Sequence, residues 1–72
     1  MSTAVHRLWR LRKLSQTIDA ELQDAGAGTM ELQFRLNGMI MLSRPCANRE
    51  QAIAAADEKR VELEREGWMP HW

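Results

Sequence analysis

Cysteine is nearly absent: the chain has one, Cys46. A single thiol closes no internal disulfide, which excludes the stapled secreted scaffold common among domains this short. Net charge is absent as well, because 10 Lys and Arg balance 10 Asp and Glu. The balance speaks against a dedicated nucleic-acid binder, though not against a local basic patch. No apolar run approaches the roughly 20 residues that cross a bilayer as a helix. The opening Met1-Ser2-Thr3-Ala4-Val5-His6-Arg7 holds no apolar stretch of the kind a signal peptide needs. The expectation is a cytoplasmic protein. Histidine occurs only as His6 and His71, near opposite ends, and no pair drawn from them and Cys46 has structural-zinc spacing. No cofactor or metal is expected. Internal repeats, low-complexity segments and linkers are lacking too.

What is present is a globular composition, 44% hydrophobic and 28% charged over 72 residues. That length allows one small domain, residues 1–72. A domain of this size buries only about 60% of the surface its unfolded chain exposes. With neither disulfide nor metal to staple it, a second subunit is the aid that remains.

The clearest local signal is Asn37-Gly38 between two apolar runs. A two-residue type I′ turn needs positive φ at both central positions, which Asn and Gly accept at low cost. Before it, Met30, Leu32, Phe34 and Leu36 alternate with Glu31, Gln33 and Arg35, the period of a half-buried strand. After it, Met39 to Arg44 forms the returning strand, which Pro45 ends. Strict pairing across the turn sets Leu36 opposite Met39 and Phe34 opposite Met41. Ile40 and Leu42 then fall together on the outer face beside Arg35 and Gln33. Further on, Asn48 stands three residues before Gln51, a capping-box-like helix start. Ala52, Ile53, Ala56 and Leu63 share one face at helical spacing. Gly67 is a natural C′ residue, with Trp68 placed to pack back on Leu63. The helix is expected over about 48–66.

Residues 7–24 fit two readings. Leu8, Leu11, Leu14, Ile18, Leu22 and Ala25 suit one long helix. Ile18, Ala20 and Leu22, however, alternate strictly with polar neighbours, as do Trp9 and Leu11. Charge patterning favours strands. Residues 1–18 carry four bases (Arg7, Arg10, Arg12, Lys13) and no acid; residues 19–34 carry four acids (Asp19, Glu21, Asp24, Glu31) and no base. In a meander, Arg10 and Arg12 lie across from Asp19 and Glu21, and opposite charges across strands are stabilising. The expected fold is therefore α+β: a four-stranded antiparallel meander over about 8–13, 17–23, 30–36 and 39–44, with one C-terminal helix packed on one face. The alternative is an N-terminal helix, a β-hairpin and a C-terminal helix.

With these elements in place, the chain resembles a family of short uncharacterised bacterial proteins. The matching stretches are Arg7-Leu-Trp-Arg-Leu-Arg-Lys13, Ile18-Asp-Ala-Glu-Leu-Gln-Asp24, Glu31-Leu-Gln-Phe34 with Asn37-Gly38, and Lys59 to Trp68 with its Glu-Gly-Trp ending. The family often carries an aromatic residue where this chain has Pro45-Cys46. The resemblance implies a compact hairpin-and-helix domain and brings with it no activity, cofactor or catalytic residue.

Several residues invite a chemical reading. Cys46 precedes a helix N-terminus, where a thiol is activated; no base or oxyanion site accompanies it, and a buried packing thiol is the simpler account. His6 and His71 form a metal or pH-sensitive pair only if the chain brings its ends together. The segment Arg7 to Lys13, with Arg49, offers Arg7, Arg10, Arg12, Lys13 and Arg49 to phosphates. As a strand, the same segment pairs its bases with acids instead. Of the three tryptophans, Trp9 reads as core and Trp68 as a helix cap, while Trp72 has no structural explanation unless it docks on its own domain or on a partner. Met39, Ile40, Met41 and Leu42 form an apolar last strand, and unprotected edges pair with other strands. The expected protein is a small non-enzymatic interaction module that self-associates, as a dimer, through Met39, Ile40, Met41, Leu42 and Trp72. The alternative is a nucleic-acid-binding accessory protein using the basic N-terminal segment.

Overall fold

The structure, a computed structural model, describes residues 5–71. Residues 7–24 are two strands, not one helix. The chain runs β1 (Val5–Lys13), β2 (Gln16–Gly26), β3 (Thr29–Leu36), β4 (Met39–Cys46), α1 (Arg49–Arg65) and β5 (Met69–Pro70). All strand pairs are antiparallel, in the order β4-β3-β2-β1-β5. The fold is α+β: a meander with one helix on one face, and a short fifth strand on the β1 edge.

Alternation decides the layering. Trp9, Leu11, Ile18, Ala20, Leu22, Leu32 and Phe34 point to the helix side and are buried there. Trp9 and Phe34 pack with ring centroids 6.0 Å apart. Against this sheet face α1 presents Ala52, Ala56 and Leu63, all buried. The two alanines let the helix backbone sit close to the sheet. Ile53, expected on the same face, is instead 42% exposed. It lies at the flank of the helix, beside the buried Ala52 and Ala56.

The hairpin turns are built as two-residue loops. Asn37 and Gly38 have φ of 52° and 87°, the expected positive pair. Ala27 and Gly28, at 52° and 80°, make a turn of the same kind, so the β2–β3 connection is shorter than the four-residue Ala25–Gly28 stretch. The helix is stopped at both ends by its own sequence. Asn48 Oδ1 accepts from the Gln51 amide at 2.8 Å, and Gln51 Oε1 accepts from the Ala47 amide at 2.7 Å. At the other end Gly67, with φ of 102°, donates to Glu64 O, and Trp68 donates to Leu63 O, each at 3.1 Å. This is the Schellman pattern. It turns the chain back under the helix so that Trp68 is buried and β5 reaches the edge of β1.

Three bulges depart from the simplest register. Leu8 is the extra residue in β1, between Arg7 opposite Glu21 and Trp9 opposite Ala20. Ala25 is the extra residue in β2, between Asp24 opposite Met30 and Gly26 opposite Thr29. Met41 is the extra residue in β4, between Ile40 opposite Arg35 and Leu42 opposite Phe34. The third corrects an expectation: Phe34 faces Leu42, not Met41.

Candidate interaction surface

β4 is the outermost strand on its side of the sheet, so one row of its backbone donors and acceptors has no strand partner among the described residues. Arg44 is its sole charged residue and Pro45 lies near its end, which leaves Met39 to Ser43 without a charge. Met39, Ile40, Met41 and Leu42 are 76, 53, 47 and 47% exposed. The bulge at Met41 separates Ile40 from Leu42. Ile40 stands on the outer face opposite Arg35, while Leu42 stands on the helix side opposite Phe34. The expected stripe of Ile40 and Leu42 on one face is therefore absent; apolar side chains flank the edge on both faces.

Helix direction explains why the helix-side residues of β4 stay open. The helix begins just after Cys46, at the end of β4, and finishes where Lys13 Nζ donates to the Glu66 carbonyl at 2.7 Å, at the end of β1. It thus crosses the sheet from β4 towards β1. The Met39 end of β4, at the far corner, lies outside its cover, and so Met39 and Leu42 remain exposed beside the half-buried Leu36.

The outer face carries a closed polar network. Arg10 donates Nε to Asp19 Oδ1 at 2.6 Å and Nη2 to Oδ2 at 3.0 Å, a two-pronged contact across β1 and β2. Arg35 Nε lies 2.8 Å from Glu21 Oε1 but is not aligned as a hydrogen bond, so that contact is one of charge alone. Arg35 Nη2 donates to Gln33 Oε1 at 3.2 Å, and Gln33 donates to Glu31 at 2.5 Å. Asp19 and Gln33 are only 6 and 8% exposed. They are covered by their long neighbours. The register sets Asp19 opposite Arg35 and Glu21 opposite Gln33. Arg12, in contrast, opposes Thr17, and Arg7 takes the place opposite Glu21, because the Leu14-Ser15 turn and the Leu8 bulge set the β1 register.

The basic residues do not converge on a free patch. Arg10 is engaged by Asp19, whose hydrogen bonds hold the guanidinium above its ordinary range. Arg12 donates to the Leu14 carbonyl at 3.0 Å, and Lys13 caps the helix at Glu66. Arg7 is exposed on β1, and Arg49 belongs to the first turn of α1, in the layer on the other side of the sheet.

Cys46 is buried in the core opposite Met30, with Sγ 3.9 Å from the Arg44 carbonyl. His6 pairs with Leu22 near the start of β1, whereas the His71 amide donates to the Arg10 carbonyl at 2.9 Å, four residues further along the strand. That spacing is about 13 Å. Among the described residues no three His, Cys, Asp or Glu side chains gather as a metal site, and no helix is long and apolar enough to cross a membrane. Trp72 lies outside the described residues.

A cleft of about 310 Å³ opens between β1 and α1, lined by Leu8, Trp9, Leu11, Ile53, Ala56 and Pro70, with Arg60 between Asp57 and Glu64 at its rim. Sequence reasoning missed it. Its signals were the exposed side of Ile53 and the bulge at Leu8, and neither is readable from periodicity. No protein family, curated protein or solved structure matches the chain.

Proposed function

We propose that this protein is a small, non-enzymatic, cytoplasmic interaction module that self-associates through β4. The supporting observation is the five-residue edge Met39–Ser43, uncharged and apolar on both faces, at the corner of the sheet that the helix leaves uncovered. A two-fold arrangement sets β4 antiparallel to β4 of a second copy, so that Met39, Ile40, Met41 and Leu42 of each face the same residues of the other. The bulge at Met41 shortens the ladder two such edges form, so side-chain burial supplies the larger share of the stabilisation. The outer-face ion pairs flank Ile40 and give the interface a polar border. The reduced, buried Cys46 thiol suits a reducing compartment.

The test is solution mass by light scattering on a sizing column over a concentration series, for the natural chain and for an Ile40→Glu, Leu42→Lys variant. A dimer for the former and a monomer for the latter is the expected result. A monomeric natural chain at every concentration, or a variant with unchanged mass and melting, overturns the reading.

A further inference from the structure

The cleft between β1 and α1 has fixed walls. Trp9 Nε1 bonds the Ala56 carbonyl and Lys13 Nζ bonds the Glu66 carbonyl, so strand and helix are tied at two points along their length. The bulge at Leu8 adds an apolar side chain to the strand wall, and Pro70 extends that wall past β1. On the helix, Ile53, Asp57, Arg60 and Glu64 follow at i, i+4, i+7 and i+11, the spacing of a single face. One flank of α1 therefore gives the cleft an apolar residue and then three charged ones. An apolar pocket of roughly 150 Å³ takes a benzene ring, so the volume of about 310 Å³ admits a ring with a short carbon arm. That volume stands at the small end of ligand sites, roughly 300–1,000 Å³.

The rim decides the sign of the head group. Asp57 Oδ1 accepts from Arg60 Nε at 3.2 Å and from Nη2 at 2.5 Å, and both Glu64 oxygens accept from Arg60 Nη1 at 3.3 Å. The guanidinium is thereby engaged on both sides. Arg10, the other cation of the lining, is held by Asp19. Two carboxylates thus face one guanidinium, and the rim keeps an excess negative charge. Asp57 Oδ2 accepts no hydrogen bond among the described residues, and the side chain is 61% exposed. An anionic ligand would meet two carboxylates and find no free cation. A neutral one would leave the excess charge unmatched. An ammonium group supplies both the missing donor and the missing charge. We infer that the cleft binds a small arylalkyl amine, its ring among Leu8, Trp9, Ile53 and Ala56 and its ammonium group on Asp57. The site is independent of self-association through β4, which stands at the opposite edge of the sheet.

The experiment is a titration of the full chain with phenethylamine, phenethyl alcohol and hydrocinnamate, followed by amide and methyl correlation spectra. The three probes share a ring and a two-carbon arm and differ in the head group. Saturable shifts of the Trp9 indole N–H and of the Leu8, Leu11 and Ile53 methyl signals are expected with the amine. It should bind about tenfold more tightly than the alcohol, and the acid more weakly than either. Asp57→Asn is expected to bring the amine down to the affinity of the alcohol and to leave the alcohol unchanged. Ile53→Asn, on the exposed flank of α1, should weaken the amine and the alcohol alike while the amide signals of the sheet stay in place. An amine that shifts none of these signals at its highest soluble concentration overturns the inference. So do equal affinities for the amine and the acid, or an Asp57→Asn variant that binds the amine as the natural chain does.

Discussion

The Trp9 indole Nε1 donates to the Ala56 carbonyl at 3.2 Å, a buried bond between the first strand and the middle of the helix. Trp9 is thus at once the aromatic centre of the core, packed at a tilt against Phe34, and the polar tie that sets how far along the sheet α1 sits. Ala56 is buried beneath it with almost no surface left. A larger residue there would push the helix off the tie.

Trp9→Phe keeps an aromatic ring and loses the donor. Loss of the bond and of the second ring is expected to cost about 2 kcal/mol in urea unfolding, against roughly 3–5 kcal/mol for Trp9→Ala. A loss near zero for Trp9→Phe, beside a large one for Trp9→Ala, would show that the bond to Ala56 does not set the helix position.

Gly67 has φ of 102°, and a Cβ placed there would meet only the Lys13 side chain at 3.6 Å, an ordinary contact. The cost of Gly67→Ala is therefore one of backbone conformation, about 1–2 kcal/mol. Trp68→Ala, which removes the buried residue that follows, is expected to cost more, about 3 kcal/mol or above. Thermal melts of both variants measure the order.

Asn37 serves two hairpins. It takes the left-handed place in the β3–β4 turn, and it also donates its amide to Thr17 O at 2.9 Å while its Oδ1 accepts from Thr17 N at 3.0 Å. Asn37→Gly preserves the turn and removes the side-chain bond. The expected loss is about 1 kcal/mol, with faster hydrogen exchange at the Thr17 amide as its signature.

Leu14 is 87% exposed and has φ of 57°, a conformation that a branched apolar residue adopts at a cost. Leu14→Asn gives up no packing and tolerates the left-handed region. It is expected to raise stability by about 1 kcal/mol, measured as a higher urea midpoint at an unchanged slope.

Asn48→Ala removes the acceptor of the Gln51 amide and is expected to cost about 1 kcal/mol. Protection of the first-turn amides should fall before that of the sheet, since the two caps act on the helix alone.

The features legible in the sequence are those whose cause lies within a few residues. Asn37-Gly38 specifies its turn because few other pairs tolerate two positive φ values. Asn48 with Gln51, and Gly67 with Trp68, mark the helix ends to within a residue or two, because each cap bonds only its immediate neighbours. The strict alternation of Ile18, Ala20 and Leu22 and the split of bases and acids between β1 and β2 were enough to choose strands over a long helix, since one sheet face had to be apolar and the other had to be paired.

The candidate surfaces were less legible. Met39 to Leu42 could be read as an apolar edge, but which of them share a face was decided by the bulge at Met41. The exposure of Ile53 followed from how the helix is rotated on the sheet, with Ala52, Ala56 and Leu63 turned inward. The cleft beneath it followed from the Leu8 bulge and from a two-residue strand that docks only because Trp68 turns the chain under the helix. By itself, then, the sequence determined the strand and helix segments, their caps and turns, and the polar and apolar faces, each through short-range stereochemistry or a repeating period. The register slips, the diagonal course of α1 and the open corners it leaves were decided by the tertiary structure: the slips by how neighbouring strands pair, as Phe34 with Leu42, and the helix course by packing between residues far apart in the chain, as with Trp9 and Ala56, 47 residues distant in sequence.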